Sequence, residues 1–188
     1  MPNGDVQQPP KRGLVRSIIT FVAYIAVIFG MVWLLQNFVV CPYNIPSASM
    51  ESTIETGDSV WSEKISYYFR SPQAGDIVTF EDPQTAGRTL IKRVIATGGQ
   101  TVDLQDGVVY VDGVALDETY ATGTSEPLNT ASGVTVSYPY TVPEGYLWVM
   151  GDNRNNSADS RFFGAIDSKT VTGHAVAIYW PINHIGVL

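Results

Sequence analysis

Ser49 lies just beyond a long apolar run, inside the string Pro46-Ser47-Ala48-Ser49-Met50. Lys92 sits in a second apolar stretch, Thr89-Leu90-Ile91-Lys92-Arg93-Val94-Ile95. A serine hydroxyl is a poor nucleophile until a neighbouring base takes its proton. A lysine can be that base where burial disfavours its ammonium form and lowers the pKa from about 10.4. If residues 90–95 form a strand, alternate side chains share a face, so Leu90, Lys92 and Val94 point together and the amine stands on an apolar surface. The chemistry implied is that of a serine–lysine hydrolase. The bland alternative is a lysine whose stem packs on the strand while its head reaches water. Histidine, the commoner base, occurs at His174 and His184, and on sequence alone either could serve.

A third string, Gly151-Asp152-Asn153-Arg154-Asn155-Asn156-Ser157-Ala158-Asp159-Ser160-Arg161, follows an apolar run at 146–150. Turn formers at this density make a loop that presents several polar side chains at once. Its bland reading is a solvated turn with an ion pair, Asp159 to Arg161 or Asp152 to Arg154.

The elements that must hold these groups read as mainly β. The 17 Gly and 11 Pro in 188 residues favour a turn-rich body over a helical bundle. Strands are expected at 58–63, 76–80, 88–96, 108–111, 114–116, 135–140, 146–150 and 173–180. The Asp112-Gly113 pair between two of them is a strong hairpin signal. Residues 41–57 read as loop ending in a short helical turn. A Gly-, Ser- and Thr-rich stretch at 121–133 reads as a surface loop within a smaller excursion, about 98–143, set between two core halves at 41–97 and 144–188.

Residues 18–40 carry no charge and have the length of a membrane-spanning helix, which needs about 20 apolar residues. Residues 1–17 read as a polar tail. Lys11, Arg12 and Arg16 precede the run and place that end in the cytoplasm by the positive-inside rule, with the body outside. A cleaved signal peptide would have a shorter core of about 7–15 residues, and a lipoprotein signal at Cys41 would want a small residue where Val40 stands. Beyond the run, eight Lys and Arg face 17 Asp and Glu, a net of −9. Such a body repels phosphate backbones, which argues against nucleic acid as a partner. One cysteine and two histidines exclude a disulfide within the chain and a Cys-rich zinc site, and the reading calls for no cofactor and no metal. Trp61 and the Tyr67-Tyr68-Phe69 triple are candidates for bilayer contact, because interfaces favour such rings.

Taken in order, four blocks resemble those of bacterial type I signal peptidase in its single-anchor form. They are Pro46-Ser47-Ala48-Ser49-Met50, Gly75-Asp76-Ile77-Val78, Lys92-Arg93, and residues 151–161, the most specific of the four. The resemblance implies an extracytoplasmic, barrel-like β-sheet catalytic domain with a small inserted β subdomain, preceded by one transmembrane helix. It implies a membrane-anchored endopeptidase that cuts exported preproteins after a small-x-small site. Ser49 would be the nucleophile and Lys92 the general base, with the Ser49 N–H and Ser47 hydroxyl as oxyanion hole. Ser157 would orient the Lys92 amine, and Asp159 and Arg161 would brace the loop. Two strings depart from the family pattern: Glu51-Ser52-Thr53-Ile54 stands where Pro-Thr-Leu is common, and Gly98-Gly99-Gln100 where Gly-Asp often follows. A self-cleaving repressor-type protease would share the chemistry without the anchor. A non-enzymatic tethered β domain would share the anchor without the polar loop. Nothing in the sequence bears on oligomeric state.

Overall fold

The structure, a computed structural model, describes residues 11–188. Two compact units follow one another, the first ending at Phe38 and the second spanning Val39–Leu188.

The first unit is helix α1, Lys11–Phe38. An 18-residue window within Gly13–Phe38 has a mean hydropathy of 2.6 and buries nothing against protein. At 1.5 Å per residue such a helix exceeds the ~30 Å hydrocarbon thickness of a bilayer. Phe29 and Trp33 stand 71% and 60% exposed, a cost in water that lipid removes. The helix fits a single-pass membrane anchor. It begins before residue 18 and ends before residue 40, so the polar tail and the apolar run meet inside one helix. The part of the expected tail at 1–10 lies outside the described residues.

The second unit is mainly β. Its elements in chain order are β1 Val40–Asn44, β2 Ser59–Glu63, α2 Ser66–Phe69, β3 Ile77–Glu81, β4 Thr89–Thr97, β5 Thr101–Gln105, β6 Val108–Val111, β7 Val114–Ala115, β8 Tyr140–Thr141, β9 Tyr146–Met150, α3 Ser160–Phe163, β10 Ile166–Asp167, β11 Val171–Trp180 and β12 Gly186–Val187. An eight-stranded antiparallel sheet runs β1-β2-β11-β3-β4-β9-β10, with β12 on β11. A four-stranded sheet runs β7-β6-β5-β8 and is drawn wholly from residues 101–141.

Several expectations shift. Residues 41–57 are not all loop, because β1 pairs with β2 from Val40↔Glu63 to Asn44↔Ser59. The alternating stretch 135–140 is extended only at its end, Tyr140–Thr141; its rings pack on Trp148 instead, Tyr138 edge-on at 6.0 Å and Tyr140 tilted at 4.8 Å. Tyr67 does not face outward with its neighbours, since its hydroxyl donates to Asp76 at 3.1 Å. Tyr68 and Phe69 remain 61% and 87% exposed.

Two hairpins of the small sheet turn on Asp-Gly pairs. Asp106 and Gly107 have φ of 51° and 80°, and Asp112 and Gly113 have 51° and 78°. Both central residues of such a turn need positive φ, which Asp tolerates and Gly adopts freely. The two sheets share one core, in which Ile95, Ala96, Trp148 and Met150 of the large sheet meet Val102, Val109, Val111 and Val142. Trp148 is fully buried at the centre of that contact. Truncating it removes the largest side chain joining the sheets, so Trp148→Ala should destabilise the protein by about 3–5 kcal/mol, read from the denaturant midpoint in detergent.

Candidate active site

Ser49 stands on a 3₁₀ turn, Ala48–Met50. Met50 and Ile54, both fully buried, pin that turn into the core with Ile45, Val60 and Ile178. Lys92 comes from β4, paired opposite Val78 of β3. The two meet, with Nζ of Lys92 2.6 Å from Oγ of Ser49. Nζ also donates to the carbonyl of Ile91 at 2.9 Å. Lys92 is 3% exposed and Ser49 7%, so the head of the lysine does not reach bulk water. At this distance an ammonium donates to the hydroxyl, whereas a neutral amine accepts from it.

Burial pulls the Lys92 amine down to about 8, against the opposing carboxylates of Asp159 and Asp152. Neither histidine is placed to compete. His184 Nδ1 bonds Asp58 at 2.9 Å, and His174 lies 3.6 Å from Glu63 and 3.7 Å from Asp76.

The loop at 151–161 closes over the pair. The Asn153 N–H donates to the Ser49 carbonyl at 3.2 Å. Gly151 is required by close approach, because a Cβ there would collide with that same carbonyl and with Oγ of Ser157. Asp159 accepts from Arg161 Nε and Nη2, each at 2.9 Å, and from the Gly151 N–H at 3.1 Å. Asp159 and Arg161 are 0% and 1% exposed, so this is a buried brace and not a solvated turn. The other ion pair imagined from sequence does not form. Asp152 pairs with Arg93 at 2.7 Å, and Arg154 with Glu118 at 2.6 Å.

Ser47 and Ser157 differ in their surroundings. Ser47 is exposed and lines the cleft beside Ser49. Ser157 Oγ is buried beside Gly151 but takes no partner among the described residues; the bond to Lys92 implied by resemblance is not formed in this arrangement.

Sequence reasoning missed the excursion's share. Arg93 lies over the ring of Tyr120, 4.0 Å from its centroid. Ser125 accepts from Arg154 at 2.6 Å. Main-chain bonds from Thr122 N to Asp152 O at 2.8 Å, and from Arg154 N to Thr122 O at 2.9 Å, tie the two segments. The signal available was charge: Arg93 and Arg154 are cations in apolar or tightly turned surroundings and so needed partners.

An open cleft of about 200 Å³ begins at the pair, lined by residues 43–47 and Ser49, residues 88–92, and Thr79. The expected wall at 45–49 lines it except for Ala48 and is extended by Tyr43 and Asn44; of the expected 76–80 only Thr79 contributes. β4 pairs with β3 over residues 89–93 and with β9 from Arg93 onward. No strand of the sheet therefore covers residues 89–92 on the side away from β3, leaving an edge that an extended chain could extend. A nucleophile beside a dry amine, at the head of a groove with a free strand edge, is the layout of a hydrolase acting on polypeptides.

Residues 18–180 match the family described as signal peptidase, peptidase S26. The chain is 42% identical to the probable signal peptidase I-1 of Synechocystis sp. over 82% of its own length and 79% of that protein's. It is 37% identical to signal peptidase I of Leptolyngbya laminosa, covering 82% and 75% of the two chains. Against signal peptidase I of Mycobacterium tuberculosis the values are 35%, 98% and 79%. The chain belongs to the signal peptidase S26 family, and it is a serine protease that removes signal peptides from exported preproteins.

The depressed pKa has a stability counterpart. Below about pH 8 the folded chain holds a charge that the unfolded chain would solvate at no cost. The penalty is full there and is relieved as pH rises from 8 towards 10.5, amounting to about 3 kcal/mol. Lys92→Met, close in volume and uncharged, should therefore raise the melting temperature at pH 7 and gain little at pH 10.

Proposed function

We propose that Ser49 and Lys92 form the catalytic dyad of this signal peptidase, and that it cuts after a small-x-small sequence. The observation that carries the reading is the 2.6 Å contact between Lys92 Nζ and Ser49 Oγ inside a nearly dry site.

The neutral amine takes the hydroxyl proton as Oγ attacks the scissile carbonyl. The oxyanion that forms is received by the Ser49 N–H and the Ser47 hydroxyl, donors of a kind worth about 3–4 kcal/mol each. Lys92 then passes the proton to the departing amine, the new N-terminus of the mature chain, leaving a Ser49 ester. Water attacks that ester with Lys92 again as base, which frees the signal peptide and restores Ser49. Ser157, buried beside the pair, orients the lysine once substrate displaces the present arrangement. Asp159 and Arg161 hold the loop and take no part in bond making.

The cleft supports the choice of substrate. Tyr43, Ile45, Leu90 and Ile91 give it apolar walls, and its small volume rejects large side chains near the cut. The free edge at 89–92 suits an extended peptide, in which alternate residues face the wall. We read α1 as a span with its N-terminus in the cytoplasm, Val39–Leu188 as the extracytoplasmic catalytic domain, and 98–143 as its inserted subdomain. Tyr68 and Phe69 are read as touching the bilayer.

Three measurements test this. In detergent with a preprotein substrate, Ser49→Ala and Lys92→Ala should each lower kcat by about 10³-fold or more; normal cleavage by either variant removes the dyad. The kcat/KM of the wild type should rise about tenfold per pH unit below 8 and level off above it, since only the deprotonated amine is competent; a flat profile from pH 6 to alkaline values denies lysine the role of base. For the bilayer reading, a Tyr68→Ser, Phe69→Ser double variant of an anchorless 39–188 fragment should bind liposomes more weakly, and unchanged binding dismisses the contact.

A further inference from the structure

The cleft carries one cation that the dyad does not use. Arg88 precedes β4 at the base of the turn from β3, where its carbonyl accepts from the Asp82 N–H at 2.9 Å. Its Nε donates to Oδ2 of Asp82. Asp82 is a buried anchor, with its side chain 1% exposed and its other oxygen accepting from the Gln84 N–H at 2.8 Å. The Arg88 side chain is 57% exposed and lines the cleft that begins at Ser49. Its two Nη groups take no protein partner among the described residues. Guanidinium is a planar fork that binds a carboxylate along one edge while another edge is already engaged. Here Asp82 holds the Nε position and fixes the group, and the outer edge is left over.

The surroundings favour an anion at that edge. Among the described residues no carboxylate lines the cleft, although the chain beyond the anchor has a net charge of −9. The two basic residues of its lining are Arg88, with Asp82 behind it, and Lys92. Arg88 stands four strand positions from Lys92, which is about 13 Å at the rise of a β-strand. A peptide extended along the same edge advances at that rate. Under the reading given above, the residues before the cut lie in this cleft, so a side chain about four positions upstream of the cleaved bond comes level with Arg88.

Resting on that reading, we infer that Arg88 is a specificity residue, whose free guanidinium edge takes the carboxylate of a Glu or Asp lying about four residues before the scissile bond. It also disfavours Lys and Arg there. It touches the substrate at a distance from the reacting atoms and does no chemistry.

The test is a set of preproteins with Glu, Gln or Lys at each of the positions three to six residues before the cut. They are cleaved at low salt in a nonionic detergent, which keeps lipid phosphate out of the assay. At one of these positions the wild type should prefer Glu over Lys by about two- to fivefold in kcat/KM, and the preference should shrink as salt is added. Arg88→Gln should bring that ratio to near one, and Arg88→Glu should invert it. Because each ratio is taken within one variant, a loss of overall activity does not affect it. Ratios that are the same in wild type, Arg88→Gln and Arg88→Glu overturn the assignment. Failure of the dyad reading is seen separately, as cleavage of these substrates by Ser49→Ala.

Discussion

The structure turns on keeping one amine dry. A lysine on a solvated strand would hold its proton near pH 10 and offer nothing to a serine at neutral pH. Lys92 escapes that fate because β3 pairs along β4 at its position, because a 3₁₀ turn is pinned over its tip by Met50 and Ile54, and because the loop at 151–161 packs beside that turn. Two carboxylates in that loop oppose the effect, since Asp159 and Asp152 both favour the ammonium, but burial outweighs them. Each is instead claimed by an arginine, Arg161 and Arg93. The loop thus uses these acids as paired hydrogen-bond acceptors, while burial keeps the lysine's pKa low. Removing either arginine would leave a buried charge unpaired, a change that costs about 3–5 kcal/mol, and would expose the amine to that charge.

The same logic explains the excursion between residues 98 and 143. A loop of eleven polar residues does not hold its own shape. Here it is laced to residues 118–126 by main-chain bonds at Thr122, by Glu118 and Ser125 on Arg154, and by the carbonyl of Glu126 on Arg161. Tyr120 covers Arg93, and Ser52 Oγ donates to the Tyr120 carbonyl at 2.5 Å. The irregular chain of the excursion thus works as a strap across the loop at 151–161, and the small sheet, packed on Trp148, gives that strap a fixed base.

Much of this was legible because local chemistry and global fold agree. Strands at 108–111 and 146–150 have the observed bounds, since turn residues flank continuous apolar runs. The lysine among Leu90, Ile91 and Val94 had two readings, a base for Ser49 or a head reaching water, and the structure buries that head against Ser49. The losses have physical causes. The strand at 40–44 was missed because Pro42 reads as a breaker, yet Pro is tolerated on an edge strand, and β1 is an edge. The strand at 101–105 was missed although Asp106-Gly107 announces its hairpin as plainly as Asp112-Gly113 does the next. The stretch at 135–140 alternates as a strand does, but its aromatic positions serve Trp148 and not a ladder. Partners far apart in sequence, such as Glu118 with Arg154, leave no periodic trace.

The free edge of β4 follows from the same design. An unpaired strand edge beside apolar walls invites association with other chains. In this fold it extends only from Thr89 to Lys92 before β9 takes over at Arg93 and the register shifts between Val94 and Ala96. The exposed segment is too short to template a stable sheet, and the cation at its start discourages a second copy of a neutral strand. On the proposed function, it is long enough to seat a few extended residues of substrate. Closing the edge with another strand would make the sheet safer and would bury the serine. The opening is short, and the Ser49 hydroxyl lies against Lys92, next to the point where pairing resumes at Arg93.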